Sequence, residues 1–259
     1  MTEPDRRSLV IGLGEVGRPL FTLLSQAERD AIGMDIEPAD NTGPIGVMHI
    51  CIPFRNETQF REAVDSYARM YRPEIIAIHS TVLPGTTREM QRLTGIDCVY
   101  SPVRGKHAKM AEPHRRYAKF VAGTHQPAVM RVVEQLTAAR IPARIVSNPD
   151  GLELAKLLET TYFGLLIAWA QEMNRFAGSV DADYREVGAF FAEVDYLPSV
   201  LFQPGVIGGH CVMPNITLLK RRFSSPFLDA IEWSNAERQA EVDAADAHCA
   251  DRLVPLAML

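Results

Sequence analysis

Cys211 closes a run, Phe202-Gln203-Pro204-Gly205-Val206-Ile207-Gly208-Gly209-His210-Cys211-Val212-Met213-Pro214-Asn215, in which three glycines and two prolines surround one thiol. Gly205, Gly208 and Gly209 permit close approaches that a Cβ forbids, so the segment reads as a tight loop able to lie against a ligand. Backbone N–H groups in such a loop favour negative charge and help hold a thiolate, the nucleophilic form of cysteine. The same thiol also reads as a small buried hydrophobe, a common state of free cysteine. A second group with chemical potential is Lys156, which shares a helix face with Glu153 and Thr160 through spacings of three and four. A lysine so placed is a candidate proton-transfer group, and it equally reads as a side chain that snorkels past apolar neighbours.

The third constellation binds rather than reacts. Ser8-Leu9-Val10-Ile11 is a β-rich run, Gly12-Leu13-Gly14-Glu15-Val16-Gly17 follows, and then Leu20, Leu23 and Leu24 recur at helical spacing. Strand, GxGxxG and helix in that order form a dinucleotide fingerprint. Gly12 makes the turn, Gly14 admits a pyrophosphate to a helix N-terminus, Glu15 and Val16 line the turn, and Gly17 lets helix and strand pack. Asp35 stands 23 positions after Gly12, at the end of a second strand, Ala31–Asp35. A carboxylate there accepts from ribose hydroxyls and repels a 2′-phosphate, so NAD rather than NADP is the expected cofactor.

Further strands are expected at 47–52 and 75–78, with helical patterns at 57–71 and 86–93 between and after them. Alternating strands and helices predict a parallel α/β sheet, in which ligands bind beyond the strand C-termini. That rule brings Ile52, Pro53, Ser80 and Thr81 to the cofactor crevice; ordinary capping or turn duty remains open for the two hydroxyls. Strands follow at 98–102, 120–123 and 143–146, with a helix at 127–139. The stretch 104–119 carries Arg104, Lys106, Lys109, Arg115, Arg116 and Lys119, either a solvated basic face or a hold for an anionic substrate. At Asn148-Pro149-Asp150 the pattern changes to long helices, about 150–177, 182–194 and from a Ser225 cap with Pro226 to about 253. The expected domains are therefore 1–149, Rossmann-like, and 150–259, helical and carrying the glycine-cysteine loop.

Composition narrows the function classes. A formal net charge of −5, with 27 basic and 32 acidic residues, gives no basic surface for nucleic acid, and a small molecule is the expected partner. The apolar run Tyr162–Ala170 is too short for a bilayer span, and no apolar signal region precedes the first strand, so a soluble, cytoplasmic protein is expected. Cys51, Cys98, Cys211 and Cys249 lack metal-site or disulfide-framework spacing; no metal and reduced thiols are expected.

Taken in order, five motifs resemble the nucleotide-sugar dehydrogenases, the family of UDP-glucose, UDP-N-acetylmannosamine and GDP-mannose dehydrogenases. They are the Gly12–Gly17 turn with Asp35, Ser80–Thr87, Ser101-Pro102-Val103-Arg104, Leu152–Glu159 with Lys156, and Pro204–Cys211, along residues 8–245. The resemblance implies an NAD domain, a long connecting helix and a helical middle domain that makes a homodimer. It implies oxidation of a primary alcohol through an aldehyde to an acid with two NAD. Cys211 would attack the aldehyde, Lys156 would assist proton transfer and stabilise the oxyanion, and Thr81 would orient a water or the nicotinamide. Arg104, Gly208, Gly209 and His210 would contact substrate.

Three positions depart from the family pattern. Thr160 stands where the family has asparagine, Val103 replaces an acid, and Asn215 replaces an aspartate, with Met213 and Pro214 altering the intervening residues. Thr160 and Asn215 keep hydrogen-bonding capacity at the catalytic positions, whereas Val103 cannot activate water. The chain ends at Leu259, so a short form without the family's third, UDP-binding domain is expected. The alternatives are a single two-electron reaction of the β-hydroxyacid dehydrogenase type and an NAD-binding regulatory subunit.

Overall fold

The structure is a computed structural model and describes residues 6–27, 31–39, 43–103, 117–195, 200–209 and 211–252. The chain divides into two compact units, Met1–Lys156 and Leu157–Leu259. In the first, β1 (Arg7–Ile11), β2 (Ile32–Met34), β3 (Ile45–Ile50), β4 (Ile75–Ile78), β5 (Asp97–Tyr100), β6 (Lys119–Gly123) and β7 (Ala143–Ile145) form one sheet in the order β2-β1-β3-β4-β5-β6-β7. Every residue of β3 and β4 is buried, as continuous apolar strands covered on both faces require. The helices are α1 (Gly17–Ala27), α2 (Glu57–Tyr71), α3 (Thr86–Thr94) and α4 (Gln126–Ala138). Leu20, Leu23 and Leu24 of α1 and Val129, Val132 and Leu136 of α4 share one core with Val10, Val47, Ala77, Val99 and Val121 of the sheet.

Strands β1 to β5 pair in parallel, as the strand–helix alternation predicts. The parallel expectation ends at β6, which runs antiparallel to β5, while β7 returns to parallel pairing with β6. The basic sequence before β6 shows no helical apolar pattern, so nothing in it dictated a parallel crossover. Because β1 is flanked by β2 on one side and β3 on the other, chain direction of travel across the sheet reverses beside β1. The Gly12 turn and the Cys51-Ile52-Pro53 segment therefore emerge side by side, where an open α/β sheet receives a ligand.

The second unit is helical among its described residues. Helix α5 (Pro149–Ser179) begins in the first unit and continues into the second, which also holds α6 (Tyr184–Ala192), α7 (Val212–Lys220) and α8 (Pro226–Arg252). Ser225 caps α8, its hydroxyl accepting from the Phe227 N–H at 3.3 Å. Helix α7 differs from the sequence expectation of a glycine loop running to Asn215. The loop ends at Cys211, and Val212, Met213, Pro214 and Asn215 form the first turn of α7. Proline is compatible with a first turn, where its missing N–H has no intrahelical partner, which is why the Met213-Pro214 pair does not break the segment.

Candidate functional site

The dinucleotide fingerprint takes its shape from two close approaches. Gly12 has φ of +90°, and a Cβ there would lie 2.9 Å from the Cys51 carbonyl oxygen. A Cβ on Gly17 would lie 1.8 Å from the Gly12 carbonyl oxygen, so both positions exclude any side chain while the turn keeps this shape. Gly14 has nothing within 4 Å on its Cβ side and is open to an approaching group. Asp35 follows β2, exposed, and its Oδ1 accepts from the Leu13 N–H at 3.4 Å, which brings the carboxylate to the glycine turn. A hollow of about 520 Å³ is lined by Gly33, Met34, Asp35, Ile36, Glu37, Pro38 and Ala39. Ile36 is 92% exposed at this hollow, an apolar surface beside the carboxylate. These features fit the adenosine end of a dinucleotide.

Ile52 is half-buried and Pro53 exposed beyond β3, while Ser80 and Thr81 follow β4. The Ser80 hydroxyl donates to the Ile52 carbonyl at 2.6 Å, so its proton is committed to tying two strand ends together. Thr81 is half-buried. Beneath these loops lies a buried polar chain that the sequence did not disclose. His49 Nδ1 lies 2.9 Å from His79 Nε2, and His79 Nδ1 lies 2.7 Å from the Ser101 carbonyl oxygen. A carbonyl only accepts, so His79 Nδ1 carries a proton, and in the neutral ring its Nε2 then accepts from His49. The buried Lys119 ammonium donates to the same carbonyl at 2.8 Å and to that of Pro102 at 3.2 Å. Burial, opposed by a hydrogen bond to Gln135 and assisted by the Lys119 charge, pushes the His49 pKa down to about 3.

Glu153 was legible as a helix-face neighbour of Lys156, but its task was not. It is fully buried, and its carboxylate accepts from the Gly85 N–H at 2.6 Å, the Thr87 N–H at 2.8 Å and the Thr87 hydroxyl at 2.6 Å. Gly85, at φ of +97°, is the N-cap of α3 and offers no side chain to the orphan N–H groups. A carboxylate sixty-odd residues later supplies what the local sequence lacks. The signal was the uncapped helix start at Pro84-Gly85-Thr86-Thr87. Burial outweighs these donors and pushes the Glu153 pKa up to about 7, with the nearby Asp150 charge adding to the rise. Lys156, on α5, is half-buried.

In the second unit Cys211 is the N-cap of α7, half-buried, with φ of −104° and ψ of −54°. The thiol thus stands at the helix end whose unpaired N–H groups and dipole favour negative charge. Two residues of α7 fix that end against α5. A Cβ on Gly164 would come within 2.5 Å of a Val212 methyl group, so the two helices approach closely here. One turn further, Asn215 Nδ2 donates to the Thr160 hydroxyl oxygen at 2.8 Å, and that hydroxyl donates to the Leu157 carbonyl at 3.0 Å. Two of the three positions that depart from the family pattern are therefore joined to each other as a neutral pair. Gly208 and Gly209 are exposed, with Gly209 at φ of +76°. Arg104 and His210, both expected at the substrate, lie outside the described residues. Val103 is buried, at 7% exposure.

Cys51, Cys98 and Cys211 are free thiols, and burial pushes the first two up to about 12, which leaves them unreactive. Among the described residues no cluster of three His, Cys, Asp or Glu side chains could hold a metal ion. No helix among them is long and apolar enough to cross a membrane.

Residues 152–238, which include Lys156, Thr160, Cys211 and Asn215, match the central domain of the UDP-glucose/GDP-mannose dehydrogenase family. Two curated relatives agree: Protein CapL of Staphylococcus aureus, 26% identical over 166 residues, and the UDP-N-acetyl-D-mannosamine dehydrogenase of Pyrococcus horikoshii, 27% identical over 269 residues. These matches cover 58% and 82% of this chain but 38% and 63% of the relatives, so the chain spans less than two thirds of either. The fold is that of the UDP-D-ManNAc dehydrogenase from Pyrococcus horikoshii, with a TM-score of 0.80 at 18% identity over 95% of this chain and 72% of that one. The matched segment contains the Cys211 loop and α7, and a Rossmann-type unit precedes it.

Proposed function

We propose that the chain is an NAD-dependent dehydrogenase of nucleotide-sugar type that oxidises a primary alcohol or aldehyde. The observation that carries this reading is Cys211 as N-cap of α7, directly after the glycine loop and inside the matched central domain. Residues 1–149 hold the cofactor and residues 150–259 carry the catalytic loop and the dimer surface. NAD, when bound at Gly12, Gly14, Gly17 and Asp35 with Ser80 and Thr81 near the nicotinamide, supplies the acceptor for hydride. The Cys211 thiolate attacks the aldehyde carbon, and Lys156 stabilises the oxyanion and moves its proton. Loss of hydride from the thiohemiacetal leaves a thioester, which water hydrolyses to the acid. The substrate is a small anionic, sugar-like molecule, a nucleotide sugar by the similarity of the central domain, with Arg104, Gly208, Gly209 and His210 at its contacts. Screening nucleotide sugars and simple aldehydes for NADH formation tests the reading; no turnover with any of them, with Cys211 unmodified by an aldehyde probe, would sink it.

Asp35 sets the cofactor. Its exposed carboxylate beside the glycine turn would accept from the ribose hydroxyls of NAD and face the extra phosphate of NADP. Calorimetry is expected to show NAD bound at least ~tenfold more tightly than NADP, the loss of one unfavourable charge contact being worth about that ratio. Asp35→Ala is expected to narrow the ratio, and an unchanged ratio would remove this role from Asp35.

A homodimer built on the second unit belongs to the same reading. Tyr162, Phe163, Trp169 and Phe176 of α5 are 56%, 45%, 54% and 58% exposed, more apolar surface than a solvated helix carries singly. A second copy of the chain would cover such a face by a two-fold contact. Light scattering at micromolar concentration is expected to give twice the chain mass, and Trp169→Asp to halve it. A wild-type monomer would contradict the dimer.

A further inference from the structure

The loop before Cys211 is exposed at Gly205, Gly208 and Gly209 but buries Ile207, whose backbone polar groups therefore need partners in the protein. Two amide side chains from the flanking helices provide them. Asn235 of α8 accepts from the Ile207 N–H at 2.6 Å through Oδ1 and donates to the Ile207 carbonyl at 3.2 Å through Nδ2, engaging both polar groups of one residue. Gln171 of α5, fully buried, donates to the Gly205 carbonyl at 2.7 Å and to Asn235 Oδ1 at 3.3 Å. Its own Oε1 accepts from the Ser234 hydroxyl at 3.0 Å. Each amide end meets a partner of the opposite kind, so the orientation of both side chains is fixed by the network as a whole.

We infer that Asn235 and Gln171 are positioning residues that set the place of the Cys211 thiol by clamping the loop at Ile207 and Gly205. The loop is then held at both ends. Ile207 is pinned by Asn235 and is itself 5% exposed, whereas Val212 and Asn215 are pinned to Gly164 and Thr160 of α5. Only the glycine pair and His210 lie between Ile207 and Cys211. Glycines in so short a span allow the turn that φ of +76° at Gly209 demands, but they also leave the span soft unless both ends are fixed. The clamp engages the loop at Gly205 and Ile207, on the N-terminal side of the glycine pair.

The consequence for turnover rests on the proposed role of Cys211, but the clamp itself is tested without turnover. Asn235→Leu removes both bonds to Ile207, and Asn235→Asp keeps an acceptor for the Ile207 N–H while losing the donor to its carbonyl. Hydrogen exchange of the full-length protein, with peptide-level mass spectrometry, is expected to show Ile207 exchanging at least ~tenfold faster in the Leu variant and less so in the Asp variant, with the first unit unchanged. Alkylation of Cys211 by iodoacetamide is expected to slow by roughly 3–10-fold in Asn235→Leu, because the thiol leaves its fixed position at the helix end. Gln171→Met is expected to move the same two readouts in the same directions while NAD affinity stays at the wild-type value. Wild-type exchange at Ile207 and wild-type alkylation in folded Asn235→Asp and Gln171→Met would overturn the inference; should Asn235→Leu fail to fold, those two variants decide. Cys211→Ala retaining full activity would instead defeat the catalytic reading while leaving the clamp standing.

Discussion

Cys211→Ala is expected to abolish acid formation while leaving NAD affinity intact, because the thioester route runs through this thiol. The wild-type chain is expected to show a second defect of its own. Hydrolysis of a thioester needs a base to activate water, and the position where the family carries an acid is the buried Val103. Asn215 cannot take a proton, and its Nδ2 is already given to Thr160, whose hydroxyl proton is given to Leu157. That pair orients side chains but moves no proton. Loss of a general base lowers such a step by about 10²–10⁴-fold, so a thioester adduct on Cys211 is expected to accumulate once hydride has left the thiohemiacetal. Intact-protein mass spectrometry reads the adduct, and the ratio of NADH formed to substrate consumed reads how far the reaction proceeds. Two NADH per substrate at an ordinary rate would mean that another group activates the water. Full activity in Cys211→Ala, with one NADH per substrate, would point to a two-electron reaction relying on Lys156.

Glu153 and His49 are expected to give the wild-type protein a flat stability profile between pH 4.5 and 6.5 that Glu153→Gln destroys. Folding raises the Glu153 pKa from 4.5 to about 7, so the folded chain holds a proton that the unfolded chain has released, and stability falls as pH rises through that window. Folding lowers the His49 pKa from 6.5 to about 3, so the unfolded chain binds a proton that the folded chain refuses, and stability falls as pH drops below 6.5. The two slopes have opposite sign where they overlap. Each corresponds to one proton, about 1.4 kcal/mol per pH unit. With the carboxyl gone, stability is expected to climb with pH at about that slope from 4.5 to 6.5, some 2–3 kcal/mol in all. Urea unfolding of both proteins across the range measures this, and the difference between them cancels the remaining titrating groups. Parallel profiles would mean that Glu153 is already ionised at low pH, the three donors from Gly85 and Thr87 outweighing burial. The variant is also expected to be less stable at every pH, since its amide cannot satisfy both N–H groups of the α3 cap.

The sequence determined whatever depends on local rules. Glycine at positions 12 and 17 is required by contacts with Cys51 and Gly12 that any Cβ would violate, and the fingerprint states this requirement directly. Apolar periodicity likewise fixed the buried strands and the helix starts at Pro149 and Pro226, because burial and capping act within a few residues. The helix beginning at Val212 was hidden, since Gly208, Gly209 and Pro214 are loop residues by propensity and the contacts of Val212 with Gly164 and of Asn215 with Thr160 form only in the folded chain. Direction was hidden too: β6 pairs antiparallel with β5, a choice made by partners rather than by its own residues. Polar pairings at long range were hidden most completely. Glu153 caps a helix whose own cap is Gly85, His49 leans on His79, and Asn235 grips Ile207, each across a separation of 28 residues or more. Hydrogen-bond partners are chosen by proximity in the folded chain, whereas the sequence displays only which residues are able to pair.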